Sequence, residues 1–96
     1  MKLFWTERAW KDLSAIGEYI ARDNPAAARR HIDKIVKKVR GVRKFPGLGR
    51  VVPELGNEAI REVIEGNYRV VYVFSKEAKS ITVLTVFEAH KAPTLD

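Results

Sequence analysis

Side chains able to act as acids, bases or anion ligands are few, and the best candidates lie in the second half of the sequence. Glu54 lies in a loop, Glu62 lies in a β-rich run, and His90 follows the last such run. These three are candidate acid–base groups, and Arg61 and Arg69 could stabilise an anion. Each also has an ordinary interpretation: Glu54 as a structural or exposed residue, Arg69 as a sheet residue paired with a carboxylate, and His90 as a solvated histidine. Sequence spacing leaves both interpretations open.

Other kinds of catalytic or metal site have no support in the sequence. Cysteine is absent, which excludes disulfides, thiolate metal sites and thiol catalysis and suits a cytoplasmic protein. The histidines, His31 and His90, are far apart and have no partner histidine nearby. We therefore expect no metal, and no glycine-rich phosphate loop or other motif calls for a cofactor. Charges at Glu7 and Arg8 leave no apolar signal-peptide region.

Size and composition predict one globular domain over residues 1–96. The chain has 96 residues, 46% apolar and 31% charged. A second domain would be too small to bury its own core. This composition excludes a disordered tail and a membrane-spanning chain, so we expect no membrane partner.

The net charge of +6 is distributed unevenly, with +8 on residues 1–50 and −2 on residues 51–96. At about 100° per residue, one side of the second predicted helix is apolar and the opposite side is cationic. We call the residues on that side the outer-face cations: Arg30, Lys34, Lys37, Arg40 and Lys44. The pattern is typical either of a solvated helix face or of a surface for an anionic partner, which could be nucleic acid or an acidic protein.

The elements that must position these residues are two helices followed by a sheet. Thr6 is a predicted helix N-cap, and this helix should end near Arg22. Asn24 and Pro25 then predict the N-cap and first residue of a second helix, which runs to about Lys44. Apolar residues recur every three or four positions in both segments, as expected of helices that pack on a core.

Period-two alternation predicts the strands. It occurs in residues 60–65, 68–74 and 81–88, and the short apolar run 2–5 also reads as a strand. Gly66 and Asn67 predict a tight hairpin, and residues 46–57 a loop. The expected fold is α+β with the order β-α-α-β-β-β: a helical hairpin packed on a small, mainly antiparallel sheet. Trp5 and Trp10 are expected to anchor the core of the hairpin.

The order of elements, the Asn24-Pro25 break and several motifs together resemble the RelE/ParE toxin superfamily. The motifs are FPGLGRVVPEL at 45–55, IREV at 60–63, GNYRVVY at 66–72 and the last strand at 81–87. The resemblance covers essentially the whole chain, and the 45–55 loop and the 66–72 hairpin are its most specific parts. It implies a small bacterial toxin encoded beside a ParD-like antitoxin, whose often acidic and partly disordered C-terminal segment wraps over the toxin.

Within the superfamily, two branches imply different mechanisms. ParE members are not nucleases; they poison DNA gyrase and trap its cleaved-DNA state. Another branch cleaves mRNA in the ribosomal A site, and Glu54, Arg69 and His90 are similar by position to the base, cation and acid of its YoeB-like members. Lys91 stands where those members have a terminal tyrosine, and Arg50 is the only cation in the loop that in RelE carries a lysine cluster. The 88–93 ending also differs from the His-Gly-Ala-Arg-like ending of ParE sequences.

The resemblance therefore favours a ParE-type gyrase inhibitor that acts by binding and has no catalytic residue. The alternatives are a ribosome-dependent mRNA endonuclease that uses Glu54, Arg69 and His90, or a degenerate member that only binds its antitoxin. The candidate partner-contact residues are the outer-face cations together with Arg50, His90 and Lys91.

Overall fold

The computed structural model describes residues 1–93, which form two α-helices and a five-stranded sheet. The helices are α1 (Glu7–Ala21) and α2 (Pro25–Lys44), and a single 3-10 turn follows at Pro46–Leu48. The strands are β1 (Lys2–Trp5), β2 (Arg50–Val51), β3 (Ile60–Glu65), β4 (Tyr68–Ser75) and β5 (Ser80–Glu88). The expected α+β architecture is confirmed. The two-residue strand β2 is an addition, because the sequence predicts only a loop there.

Both helices begin at the predicted capping residues. The Thr6 side chain accepts a hydrogen bond from the Ala9 N–H at 3.0 Å, and the Asn24 side chain accepts one from the Ala27 N–H at 3.0 Å. Each bond satisfies an N–H that has no partner inside its helix. Pro25 is the first residue of α2, where its lack of an N–H costs nothing. The break between α1 and α2 therefore folds the chain into a helical hairpin.

The sheet has the strand order β1-β5-β4-β3-β2. β1 runs parallel to β5, and every other pair of neighbours is antiparallel. The first and last strands of the chain are therefore neighbours, and β1 lies at one edge of the sheet. At the other edge, β2 places Arg50 opposite Glu62 and Val51 opposite Arg61.

The helical hairpin covers one face of the sheet and encloses the aliphatic core. Buried members of this core are Leu13, Ile35, Val39, Val42, Val63, Val70, Ile81, Val83 and Val86. Trp5 is partly buried against them, but Trp10 is 50% exposed and stacks on Trp5 with 4.7 Å between ring centroids. The expectation that both tryptophans anchor the core is therefore wrong for Trp10. Of the residues of α1, only Ala9 and Leu13 are fully buried.

Within residues 1–93, no helix packs on the opposite face of the sheet. Because side chains alternate along a strand, Glu62 of β3 and Arg69 and Val71 of β4 point to this face, and all three are buried. They are covered by the segment that follows β2, in which Val52 is also fully buried, and by the C-terminal tail (residues 89–93). Neither helix within residues 1–93 is long and apolar enough to span a membrane.

Candidate functional site

Arg69 is the centre of the candidate site. It lies on β4 between Ile64 of β3 and Phe87 of β5 and is only 5% exposed. Its guanidinium lies over the Phe87 ring, 5.0 Å from the ring centroid. A buried cation of this kind needs acceptors for every N–H, because water is excluded from it.

The protein itself supplies those acceptors. Arg69 Nε and Nη2 donate to Glu62 Oε1 at 2.8 and 2.6 Å. Nη2 also donates to Glu54 Oε1 at 2.8 Å, and Nη1 donates to Glu54 Oε2 at 3.0 Å. The second bond from Nη1, at 2.9 Å, goes to the backbone carbonyl of Lys91. These five bonds match the five N–H groups of a guanidinium, so Arg69 has none left for a ligand.

Glu62 extends the network to a second arginine. Its side chain is completely buried, and its Oε2 accepts bonds from Arg50 Nε and Nη2, both at 2.7 Å. Arg50, Glu62, Arg69 and Glu54 thus alternate in charge, and we call them the charge row. The Arg50 side chain is 60% exposed and Glu54 is 40% exposed, so the row runs from solvent through the buried pair and back to solvent.

The hydrogen-bonded ion pairs shift the pKa values of Glu54 and Arg69. The hydrogen bonds from Arg69 are the main reason that the pKa of Glu54 falls to about 2, and the residue's own N–H adds to the effect. The two carboxylates in turn raise the pKa of Arg69. Glu54 is therefore ionised at neutral pH and is a weak base, whereas an efficient general base has a pKa near the working pH.

His90 lies outside this network. It is 73% exposed, and its Nε2 lies 3.4 Å from Glu88 Oε2. The tail that carries it is held by the backbone, because Ala89 N–H donates to the Asn67 carbonyl at 2.7 Å and the Lys91 carbonyl accepts from Arg69. In the described part of the chain, no three His, Asp or Glu side chains are grouped in a way that could hold a metal ion.

The loop from Pro46 to Glu58 is fastened to the sheet. Tyr72 Oη donates to the Pro46 carbonyl at 2.8 Å and accepts from Gly49 N–H at 2.9 Å. Arg61, a candidate anion ligand, donates Nε to the Glu58 carbonyl and Nη1 to the Gly49 carbonyl, and lies over the Phe74 ring. Its hydrogen bonds therefore fix the loop that carries Glu54.

The outer-face cations are exposed along α2, as the helical period predicts. Within residues 1–93 none of them forms an ion pair. Lys34 and Lys37 flank a shallow concavity next to Leu48, while Arg40 lies on the other flank of α2 and faces β1. Glu54 and Arg69 are thus brought together, Lys91 joins them through its backbone, and the cations of α2 form a separate surface.

The sequence predicts Glu62 only as a candidate acid–base group and does not show that it pairs with both Arg50 and Arg69. The contact depends on β2, since the pairing of Arg50 opposite Glu62 brings the second arginine to the carboxylate. The one signal was the spacing of Glu62 and Arg69 on either side of the Gly66-Asn67 turn, which places them diagonally across a hairpin on one face.

A helical hairpin on a five-stranded sheet, with a parallel edge strand and a fastened loop, is the fold of the RelE/ParE toxin superfamily. A chain of a chromosomal ParDE toxin–antitoxin system from P. aeruginosa superposes with a TM-score of 0.73 at 23% identity, over 92% of this chain and 95% of that one. The intact E. coli RelBE toxin–antitoxin complex contains a similar chain, with a TM-score of 0.67 at 20% identity over 94% and 98% of the two chains.

Sequence comparison narrows the class to one family. Residues 3–93 match the family described as the ParE toxin of the type II toxin–antitoxin system parDE. Y4kP of Sinorhizobium fredii (strain NBRC 101917 / NGR234), which is provisionally named a toxin, is 32% identical over 93 residues, covering 94% of this chain and 90% of that protein. The chain belongs to the ParE toxin family of type II toxin–antitoxin systems, and the expected superfamily is confirmed.

Proposed function

We propose that this protein inhibits DNA gyrase by binding to it, and that a cognate ParD-like antitoxin neutralises it. Membership of the ParE family supports both parts of the proposal. Solved relatives that are themselves toxin–antitoxin complexes support the second part. The structural observation that carries the choice of mechanism is the complete use of the Arg69 guanidinium by acceptors within the protein.

Cleavage of mRNA would require Glu54, Arg69 and His90 to act as base, phosphate ligand and acid. To bind a phosphate, Arg69 would have to give up bonds to carboxylates, which would leave Glu62 buried with one fewer cation. Glu54, with a pKa of about 2, accepts protons poorly at neutral pH. His90 is bonded to neither residue in the described structure. These contacts favour a structural role for the charge row and an inhibitor that acts by surface recognition.

The exposed cations supply the surface for recognition. The outer-face cations have no ion-pair partners within residues 1–93, and Arg50, His90 and Lys91 are exposed at the opposite side of the sheet. Unpaired surface cations steer an acidic partner and speed its association. An acidic antitoxin segment accounts for the net charge of +6 as well as a nucleic acid does.

Gyrase and ribosome assays with one protein preparation test the proposed target. We expect the purified protein to inhibit supercoiling and to accumulate cleaved DNA, and to leave ribosome-bound mRNA intact. Glu54→Gln should retain gyrase inhibition if the fold is intact, with the exposed residue change Glu77→Gln as a matched control; His90→Ala changes a candidate partner contact and is assayed only for mRNA cleavage. Cleavage of mRNA near the A site that these two substitutions abolish would establish the nuclease instead. Inactivity in both assays, with growth unaffected by expression, would indicate a degenerate member.

The antitoxin surface can be tested separately by reversing charge on α2. Lys34→Glu, Lys37→Glu and Arg40→Glu together should weaken antitoxin binding by at least about tenfold at low salt and by less at high salt, because exposed charges are screened. Arg22→Glu, Lys76→Glu and Lys79→Glu make the same change in net charge away from that face. Equal affinities of the two triple variants would rule out the outer-face cations as the antitoxin contact.

A further inference from the structure

Gly41 interrupts the cationic side of α2. It lies four residues after Lys37 and three before Lys44, which places the three residues on the same side of the helix. Apart from its two chain neighbours and the adjoining backbone of α2, no atom of residues 1–93 lies within 4 Å of the position that a Cβ would take here. Packing within the described chain therefore does not require this glycine, although glycine is less stable than alanine inside a helix. A remaining physical reason for a glycine is the close approach of a ligand to the backbone.

Gly41 lines a concavity with a volume of about 300 Å³. We call it the α2 concavity, and its other lining residues are Lys34, Lys37, Lys38, Leu48 and Glu65. Within residues 1–93 none of the three lysines forms an ion pair, and Leu48 is 57% exposed. Glu65 is the only carboxylate among the lining residues that the structure describes. An anionic partner that also carries apolar groups fits this lining.

The cations of α2 form a row that continues beyond the concavity. The members of this cationic row are Arg30, Lys34, Lys37, Lys38 and Lys44. From Arg30 to Lys44 the row is about 21 Å long at 1.5 Å per residue, and over that length one strand of duplex DNA presents about six phosphates. An extended acidic peptide has about six residues over the same length, of which only about three face the helix because its side chains alternate. Duplex DNA therefore presents about twice the negative charge to the row.

The side chains of the α2 concavity suit a sugar–phosphate backbone. A lysine is a flexible point charge that binds phosphates without reading the bases. No aromatic side chain of the described residues lines the concavity, so unpaired bases have nothing to stack on there. Because Gly41 has no side chain, a phosphate could approach the helix backbone, while Leu48 offers an apolar contact to the sugar. Paired DNA fits this surface better than single-stranded RNA does.

We propose that the α2 concavity and the cationic row bind the phosphate backbone of duplex DNA, namely the DNA segment that gyrase holds in the inhibited complex. The inference rests on the proposed gyrase target and adds that the toxin contacts the DNA as well as the enzyme. Lys34, Lys37 and Lys38 would pair with neighbouring phosphates, and the contact would be independent of base sequence. Since Lys34 and Lys37 also belong to the surface proposed for the antitoxin, the antitoxin and the DNA would bind in turn.

The salt dependence of DNA binding tests the phosphate contacts. Fluorescence anisotropy measures the affinity of the purified protein for a labelled 20-base-pair duplex at several salt concentrations. Five cation–phosphate contacts predict a slope of about −4.5 for log K against log[salt], and Lys38→Gln should reduce its size by about 0.9. Lys76→Gln, an exposed lysine in the turn between β4 and β5, is the matched control and should leave the slope unchanged. Absence of binding at 50 mM salt, or equal slopes for Lys38→Gln and the unaltered protein, would overturn the proposal.

Gly41→Ala tests the close approach to the helix, because it should change stability and DNA binding in opposite directions. We expect the Tm to rise by a few degrees, since alanine favours the helix and its Cβ meets open space. Affinity for the duplex should fall at least about threefold, because the Cβ occupies the place of the approaching backbone. Gly17→Ala removes a glycine from the other helix and should leave the affinity unchanged. A normal affinity of Gly41→Ala would rule out the close approach.

Glu65→Gln should have the opposite effect on binding. It removes the carboxylate from the lining of the α2 concavity, so the affinity for the duplex should rise about twofold at low salt. Glu77→Gln makes the same change in charge in the turn between β4 and β5 and should have a smaller effect. Equal effects of the two substitutions would place the DNA elsewhere on the protein.

Two other polyanions test the choice of DNA. Polyglutamate with the same number of charges represents an acidic protein, and a 20-base-pair RNA duplex represents structured RNA. We expect both to bind more weakly than the DNA duplex at the same salt concentration. Tighter binding of either one would overturn DNA as the partner of this surface.

The gyrase assay connects the DNA contact with inhibition. At least about fivefold more Lys38→Gln or Gly41→Ala protein should be needed to accumulate the same amount of cleaved DNA, whereas Lys76→Gln and Gly17→Ala should match the unaltered protein. Variants that lose DNA binding but trap cleaved DNA normally would overturn this inference and leave the gyrase proposal standing. An unaltered protein that binds DNA and does not inhibit gyrase would overturn the gyrase proposal, and with it the DNA segment named here.

Discussion

The two faces of the sheet bury very different interiors. On the face under the helices, aliphatic side chains such as Ile35, Val39 and Val83 pack at 0–2% exposure. On the other face, the buried centre is the ion pair of Glu62 and Arg69, with a loop and the C-terminal tail as its cover. Burial of apolar side chains stabilises the first face, whereas the buried centre of the second face is an ion pair.

The difference has an energetic consequence. Apolar packing is non-directional, and its contribution grows with the area removed from water, so losses there are graded. A buried ion pair contributes little net stability as a pair, yet removing one partner is costly because the other charge is left buried. The charge row should therefore behave as a unit, whereas the aliphatic face should behave as a sum of contacts.

The largest expected effect is that of Arg69→Met. It leaves the fully buried Glu62 with only Arg50 as a cation, and frees the tail from its bond at Lys91. We expect the free energy of unfolding to fall by roughly 3–5 kcal/mol, measured by urea denaturation. The double variant Glu62→Leu with Arg69→Met should lose less than the single variant, because no charge stays buried and unpaired. A double variant less stable than the single one would contradict the view that the row acts as a unit.

On the helix face, Ile35→Ala should be the next most costly change. Ile35 is 1% exposed in the centre of the aliphatic core. Truncation should lower the free energy of unfolding by about 3 kcal/mol, through lost burial and the cavity left behind. The loss should be the same at pH 4 and pH 7, because no titrating group is involved. A loss that changes with pH would show that the two faces are coupled.

Gly49→Ala tests how tightly the loop is fastened to the charged face. A Cβ at this position would lie 2.6 Å from the Glu62 carbonyl oxygen and closer still to Tyr72 Oη. We expect a loss of about 1–3 kcal/mol in the free energy of unfolding from overpacking. Tyr72→Phe in the same chain should relieve the clash only in part, because the backbone contact persists. Gly47→Ala is a matched control, since a Cβ there meets nothing within 4 Å.

The smallest expected effect is the loss of the stability contributed by Glu54 at acidic pH. The pKa of Glu54 is about 2 in the folded protein and 4.5 ordinarily, so protonation is harder in the folded state. The contribution of its carboxylate to stability is therefore fully present above pH 4.5 and is lost as the pH falls toward 2. Glu54→Gln should be less stable than the unaltered protein at pH 7, and the difference should shrink between pH 4.5 and pH 2. A stability difference for Glu54→Gln that stays constant between pH 4.5 and pH 2 would exclude this linkage.

Local signals in the sequence were sufficient for most elements of the fold. Thr6 and the Asn24-Pro25 pair specify where the helices begin because caps act within one helical turn, and alternation specifies the strands of the second half. The exposed cations of α2 followed from the helical period alone. Trp10 was misplaced because its spacing cannot tell a residue at the border of an apolar stripe from one at its centre.

Local sequence signals predicted the candidate site only in part. Glu54, Arg69 and His90 were identified as candidates, but their spacing carried no information on which would touch. The short strand β2 was not predicted, since two residues give no period, and it is β2 that brings Arg50 to Glu62.

The sequence by itself therefore determined the family, the α+β order, the helix boundaries and the location of the positive charge, because each is encoded in neighbouring residues or in a continuous motif. Only the tertiary structure decided that β1 is a parallel strand at the edge of the described sheet, and that Arg69 is enclosed by Glu54, Glu62 and the Lys91 carbonyl. Both depend on segments distant in the chain meeting across the sheet. The acceptors of a guanidinium are known only once those segments are in place.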